Sequence, residues 1–150
     1  MTEVTYVRFQ GTTRGPGGHF PGVFALANRL AREGRLSPEQ HRFWRAGNDW
    51  YDATYPNPSD TDPSVYDQVL NPGAVAWFKS TAVHLIDRVD GYLRLLEAHG
   101  VECARVESAD PGRIVYEDEV QVVAVPRPRP GAVTATAAAE NQVRRSGPAR

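Results

Sequence analysis

The sequence predicts a small α+β domain over residues 1–126, in the order β-α-α-α-β-β: a small, mostly antiparallel sheet packed on helices. Residues 127–150 follow as a flexible tail rich in Pro, Arg and Ala. Three observations carry this reading. β-branched and aromatic stretches stand at both ends of the first 126 residues, helical periodicity fills the middle, and alternating prolines close the region. With 150 residues, 41% of them hydrophobic and 23% charged, the chain is long enough to bury a core without disulfides or metals.

The elements follow in order. Residues 4–10 read as a strand, with Val7 and Phe9 on one face and Val4, Tyr6, Arg8 and Gln10 on the other. Residues 11–19 hold four glycines and a proline, which forbid regular structure. A helix is expected from Phe20-Pro21 to Gly34, with Val23, Leu26, Ala27 and Leu30 as its apolar stripe. Ser37-Pro38-Glu39-Gln40 starts a second helix with a capping box, running to about Thr54. Its aromatics Phe43, Trp44, Trp50 and Tyr51 mark a packed face. Residues 55–71, with three prolines and three acids, read as a long irregular loop.

A third helix is expected from Pro72 to Gly100, because Val75, Phe78, Ala82, Leu85, Val89, Tyr92 and Leu96 recur every three or four residues. Residues 101–107 and 113–125 read as two strands of one antiparallel hairpin around the turn Ala109-Asp110-Pro111-Gly112. Asp118 would fall on the apolar face of the last strand, so the ladder is expected to break there in a bulge or turn. Pro126-Arg127-Pro128-Arg129-Pro130 ends the ordered region.

Composition narrows function. The net charge of −1 gives no bulk drive toward nucleic acid or membrane, although residues 1–126 carry −5 and residues 127–150 carry +4. Nucleic acid is therefore not expected beyond weak contact with the basic tail. No apolar run reaches membrane-spanning length and no signal-peptide pattern opens the chain, so a soluble, cytoplasmic protein is the expectation. Cys103 is the single cysteine and reads as a structural thiol. Lys79 is the one lysine among seventeen basic residues, a usage that points to a GC-rich genome such as that of a high-GC bacterium. No metal site is expected: His84, Asp87 and Asp90 share a helical stripe but suggest no fourth ligand.

Two stretches carry candidate chemistry. The glycine-rich segment between a strand and a helix suits an anion held by backbone N–H groups, with Arg14 and His19 assisting. Glu117, Asp118 and Glu119 are three adjacent acids whose repulsion can raise one pKa into the range useful for proton transfer. Gln10-Gly11-Thr12-Thr13-Arg14 resembles the His/Arg-Gly-Thr start of ADP-ribosyltransferase-like folds. Tyr116-Glu117-Asp118-Glu119-Val120 resembles the Glu-x-Glu motif of bacterial mono-ADP-ribosyltransferases. The resemblance covers about fifteen residues. It implies NAD as the cofactor, with Arg8 or Gln10, together with Thr12, Arg14 and His19, on the ligand. It makes Glu119 the catalytic glutamate and Glu117 its partner acid.

The second reading is a non-catalytic binding, interaction or accessory module, with a protein partner or self-association. It expects an exposed apolar or aromatic patch, near Tyr55, Tyr66 or Trp77. The enzymatic reading instead requires that residues 11–18 and 117–119 converge on one cleft.

Overall fold

The computed structural model describes residues 4–15 and 18–127. The flexible-tail expectation falls on residues 128–150, outside the described residues. In chain order the elements are β1 (Tyr6–Gly11), α1 (Val23–Arg32), α2 (Pro38–Thr54), the single turn α3 (Pro58–Thr61), β2 (Val75–Lys79), the short α4 (Val83–Asp87), α5 (Val89–Ala98), β3 (Cys103–Ser108), β4 (Arg113–Glu117) and β5 (Gln121–Val125). Five antiparallel strands form one sheet in the order β3-β1-β2-β5-β4. The fold is thus α+β, with three long helices. Among the described residues, no helix is long and apolar enough to cross a membrane.

Alternation places Val7 and Phe9 of β1 on the helix-bearing face, with Phe78 of β2 directly opposite Val7. They bury against Val23, Leu26, Ala27 and Leu30 of α1, Tyr51 of α2, Leu85 of α4, and Val89, Tyr92 and Leu96 of α5. The α1 stripe is the one its spacing predicts. Ser37 caps α2 in the expected capping box: Gln40 N–H donates to its hydroxyl at 3.1 Å, and the Ser37 N–H donates to Gln40 Oε1 at 2.9 Å. Of the four predicted α2 aromatics, Tyr51 is buried, Trp44 and Trp50 pack at the core's edge, and Phe43 stays exposed.

Three expectations are corrected. First, the long helix from Pro72 is instead a strand, a turn and two helices. Val75-Ala76-Trp77-Phe78 satisfies a strand's period of two as well as a helix's wider spacing. The pairing of β2 with both β1 and β5 decides the matter, since helical residues there would leave one side of each neighbour unpaired. Second, the helix expected from Phe20 begins at Val23, because the Pro21 carbonyl accepts the Gly11 N–H at 2.8 Å and Gly22 bridges Gln10.

Third, β3 does not form a hairpin with the next strand. It pairs with β1 over six residue pairs, and the expected strand 113–125 folds back on itself as β4 and β5. The turn lies at residues 118–120, where the break at Asp118 was expected.

The β3-to-β4 connection also fixes the sheet's shape. These strands are the sheet's two edges, about 19 Å apart if the sheet were flat. The five steps from Ser108 to Arg113 reach about 17 Å at most. The sheet is therefore not flat. Accordingly Val122 and Ala124, on the face away from the helices, are as fully buried as Val123 on the other.

Candidate functional site

The β1–β2 ladder stops after two residue pairs, Tyr6↔Lys79 and Val7↔Phe78. Arg8 stands where it would continue. Its guanidinium donates to the Ala76 carbonyl at 3.1 Å, the Phe20 carbonyl at 3.3 Å and Gln10 Oε1 at 2.9 Å. Gly22 makes room for it: a Cβ there would sit 3.4 Å from the guanidinium. All three acceptors are neutral. Among the described residues, no carboxylate lies within ion-pair distance of Arg8. Burial pulls its pKa below the ordinary arginine value, against weaker opposing effects of Tyr55, Tyr66 and Cys103. Arginine nevertheless stays charged. These three bonds use one N–H on each nitrogen and leave a second N–H on each of the two terminal nitrogens.

Arg8 lines a cavity of about 370 Å³ between β1, β2, the start of α1, α2 and residues 55–58. Gly22, Val23 and Phe24 bring the N-terminus of the ten-residue α1 to the same cavity. No side chain caps it and no acid occupies its first turn, so its dipole adds positive potential beside Arg8. Phe24, Tyr51, Tyr55, Tyr66 and Phe78 supply aromatic walls. Burial raises the Tyr55 hydroxyl's pKa well above its ordinary value, so it remains protonated.

Four amides, Asn28, Asn48, Asn57 and Gln121, and the carboxylate of Asp52 complete the polar lining. Asn28 Oδ1 accepts from Trp44 Nε1 at 2.9 Å and from Asn48 Nδ2 at 3.1 Å. Trp44 only donates, which fixes the amide's orientation. Gln121 is fully buried, and its Nε2 donates to the Pro56 carbonyl at 2.8 Å and to Asp118 Oδ2 at 2.9 Å. Its Oε1 has no partner among the described residues. Leaving such an acceptor unmet costs about 1–3 kcal/mol.

The predicted site residues divide. Arg8 lines the cavity, and Gln10 positions it. Thr12 donates to Glu102 at 2.8 Å, and Arg14 donates to the Gly18 carbonyl while lying over the Phe20 ring. Thr12 and Arg14 line a separate groove with Gly100, Val101 and Glu102. His19 is exposed beside Gly73, and burial, then Arg14, lowers its pKa.

The acids lie elsewhere. Glu117 pairs with Lys79 at 2.6 Å, and Glu119 is exposed on the β4–β5 turn. Asp118 is a structural acid that accepts from Tyr116 Oη, the Val120 and Gln121 N–H groups and Gln121 Nε2. Burial pushes its pKa up, but these four bonds together outweigh burial and hold it below the usual carboxylate range. Register puts this turn at the Tyr6 end of β1 and the glycine-rich segment at the Gly11 end, about 17 Å apart along the strand. The expected convergence of residues 11–18 and 117–119 on one cleft does not form.

Of Tyr55, Tyr66 and Trp77, near which an apolar or aromatic patch was expected, only Tyr66 is exposed, and Val69 and Leu70, a few residues on, are exposed too. Tyr55 and Trp77 are partly buried, and Tyr55 and Tyr66 line the cavity. Sequence reading missed Phe24, Asn28, Asn48 and Gln121. Gln121 alone left a signal, as a lone amide opening the apolar run Val122-Val123-Ala124-Val125. Comparison of the chain with protein-family models, curated proteins and solved structures finds no match.

Proposed function

We propose that this protein is a non-catalytic binding module for a small anionic molecule, which docks on Arg8 in the cavity beneath α1. The observation that carries this reading is the guanidinium set among neutral acceptors, with no carboxylate within ion-pair distance among the described residues, although Asp52 also lines the cavity. A partly buried charge is costly without a counter-charge. The uncapped α1 N-terminus beside it favours the same sign of ligand.

The test is thermal melting of wild type and Arg8→Gln in increasing benzoate or inorganic phosphate, at constant ionic strength. Wild type is expected to gain melting temperature with at least one of these anions, and Arg8→Gln to lose most of that gain. Charge-assisted hydrogen bonds of about 1.5–3 kcal/mol correspond to roughly a 10- to 100-fold weaker affinity. Equal anion responses from both proteins would overturn the reading.

The NAD-using transferase implied by the resemblance rests on Arg8 alone in this geometry, because Glu117 and Glu119 lie away from the cavity. Nicotinamide release from NAD by wild type, lost in Glu119→Gln, would restore it.

A further inference from the structure

The cavity beneath α1 holds charges of both signs. Arg8 is the cation. Asp52, one residue past the buried Tyr51 on α2, is an exposed carboxylate in the same lining. The two do not pair, and among the described residues no basic side chain stands within ion-pair distance of Asp52. Arg88, like Asp52, is close enough to act on the Tyr92 hydroxyl, but its guanidinium lies over the Trp50 ring at 4.1 Å.

Helix geometry orders the lining. On α1, Gly22 stands against the Arg8 guanidinium, and Asn28 lies six residues on, about 9 Å along the axis. On α2, Asn48 donates to Asn28 at 3.1 Å, Asp52 follows about one turn later, and Tyr55 almost one turn after that. Tyr55 belongs to the Arg8 end, since the two groups act on each other electrostatically. Asp52 therefore sits at the mouth, between the amides at one end and the guanidinium at the other. Rings stand beside it: Phe24 meets Tyr51 at 4.7 Å between centroids, and Tyr51 meets Tyr55 at 6.2 Å.

An anion alone suits this lining poorly, because Asp52 repels at the mouth what Arg8 attracts inside. A molecule with one charge of each sign satisfies both. We infer that the ligand is a small zwitterion, an amino-carboxylate whose carboxylate meets Arg8 and whose ammonium meets Asp52. This deepens the anion-binding reading and rests on it, since the anion becomes one end of the molecule. The planar carboxylate suits the N–H groups that the guanidinium has left over. An exposed ion pair with Asp52 contributes little by itself, and the neighbouring ring faces add their own attraction for a cation. At about 370 Å³ the cavity is near the lower limit for small-molecule pockets, room for a molecule the size of one amino acid.

The experiment is titration calorimetry on the full chain with two matched pairs of probes. The first is L-phenylalanine against hydrocinnamate, and the second is para-(aminomethyl)benzoate against para-methylbenzoate. Each pair differs only by the ammonium group. The first carries it beside the carboxylate and the second across a ring, which separates α-amino acids from longer zwitterions. In at least one pair the zwitterion is expected to bind about tenfold tighter than its partner. Arg8→Gln is expected to weaken both members of that pair. Asp52→Asn, checked first for cooperative melting, is expected to weaken the zwitterion several-fold and to leave its partner unchanged or slightly tighter. If that variant fails to fold, the comparison within each pair on wild type still decides.

Equal affinities within both pairs, or tighter binding of the members without an ammonium, would overturn the zwitterion and leave an Arg8-dependent anion site standing. So would four silent probes alongside a wild type that benzoate or phosphate still stabilises through Arg8. A zwitterion preference that survives Asp52→Asn intact would overturn the role given to Asp52. No binding by any probe, with no effect of Arg8→Gln on the response to benzoate or phosphate, would overturn this inference and the reading beneath it together.

Discussion

Asp118 shows how one residue's chemistry was visible in the sequence while its purpose was not. Alternation put a carboxylate on an apolar face, and the structure resolves the conflict by turning the chain there and surrounding the carboxylate with four donors. Hydrogen bonds to a charged group contribute about 1.5–3 kcal/mol. Asp118→Ala is therefore expected to destabilise the fold by about 2 kcal/mol, read as a lower urea midpoint at neutral pH. Because its pKa is lower folded than unfolded, its contribution is complete above the ordinary carboxylate pKa and is lost as pH falls through the depressed value. Urea midpoints measured from pH 5 down to pH 2 are expected to fall more steeply for wild type than for Asp118→Asn. Parallel curves would contradict this account of the turn.

At the scale of elements, two helical glycines that look alike in sequence are expected to behave differently. A Cβ on Gly47 would meet the Tyr92 hydroxyl at 2.6 Å, and Tyr92 is fully buried and bonded to Asn48. A Cβ on Gly91 would meet the Phe43 ring at 2.5 Å, but Phe43 is exposed and able to swing away. Gly→Ala within a helix gains about 1 kcal/mol in propensity. Gly91→Ala is expected to raise the melting temperature slightly or leave it unchanged. Gly47→Ala is expected to lower it, because overpacking costs about 1–3 kcal/mol. Removing the Ser37 cap as Ser37→Ala is expected to cost about 1 kcal/mol.

The local signals in α1 and α2 were legible for the same reason that these predictions are simple: caps and stripes act within a few residues. The strand at Val75–Lys79 was not legible, because its identity depends on neighbours just over seventy residues before it and some forty-five after it. The cavity was legible only through Arg8 and Gln10. Its other polar side chains, among them Asn28 of α1, Asn48 and Asp52 of α2 and Gln121 of β5, come from elements that only the packing of helices on the sheet brings together.

Over the whole molecule, the middle of the sheet is assembled from distant segments: β1 pairs with β3 about a hundred residues later and with β2 about seventy residues later. Closing such loops is slow. Refolding followed by tryptophan fluorescence in a stopped-flow instrument is expected in milliseconds to seconds, and a microsecond phase that accounted for all the signal would contradict the topology. The two sides of β1 are also unequal, with six residue pairs toward β3 and two toward β2 before Arg8 interrupts the ladder. That second side is a seam closed by one guanidinium instead of a full row of amides. An occupant that pins the guanidinium also stiffens the seam, so deuterium uptake in a peptide covering residues 74–80 slows when the cavity fills, and the protein carries its own gauge of occupancy in its backbone.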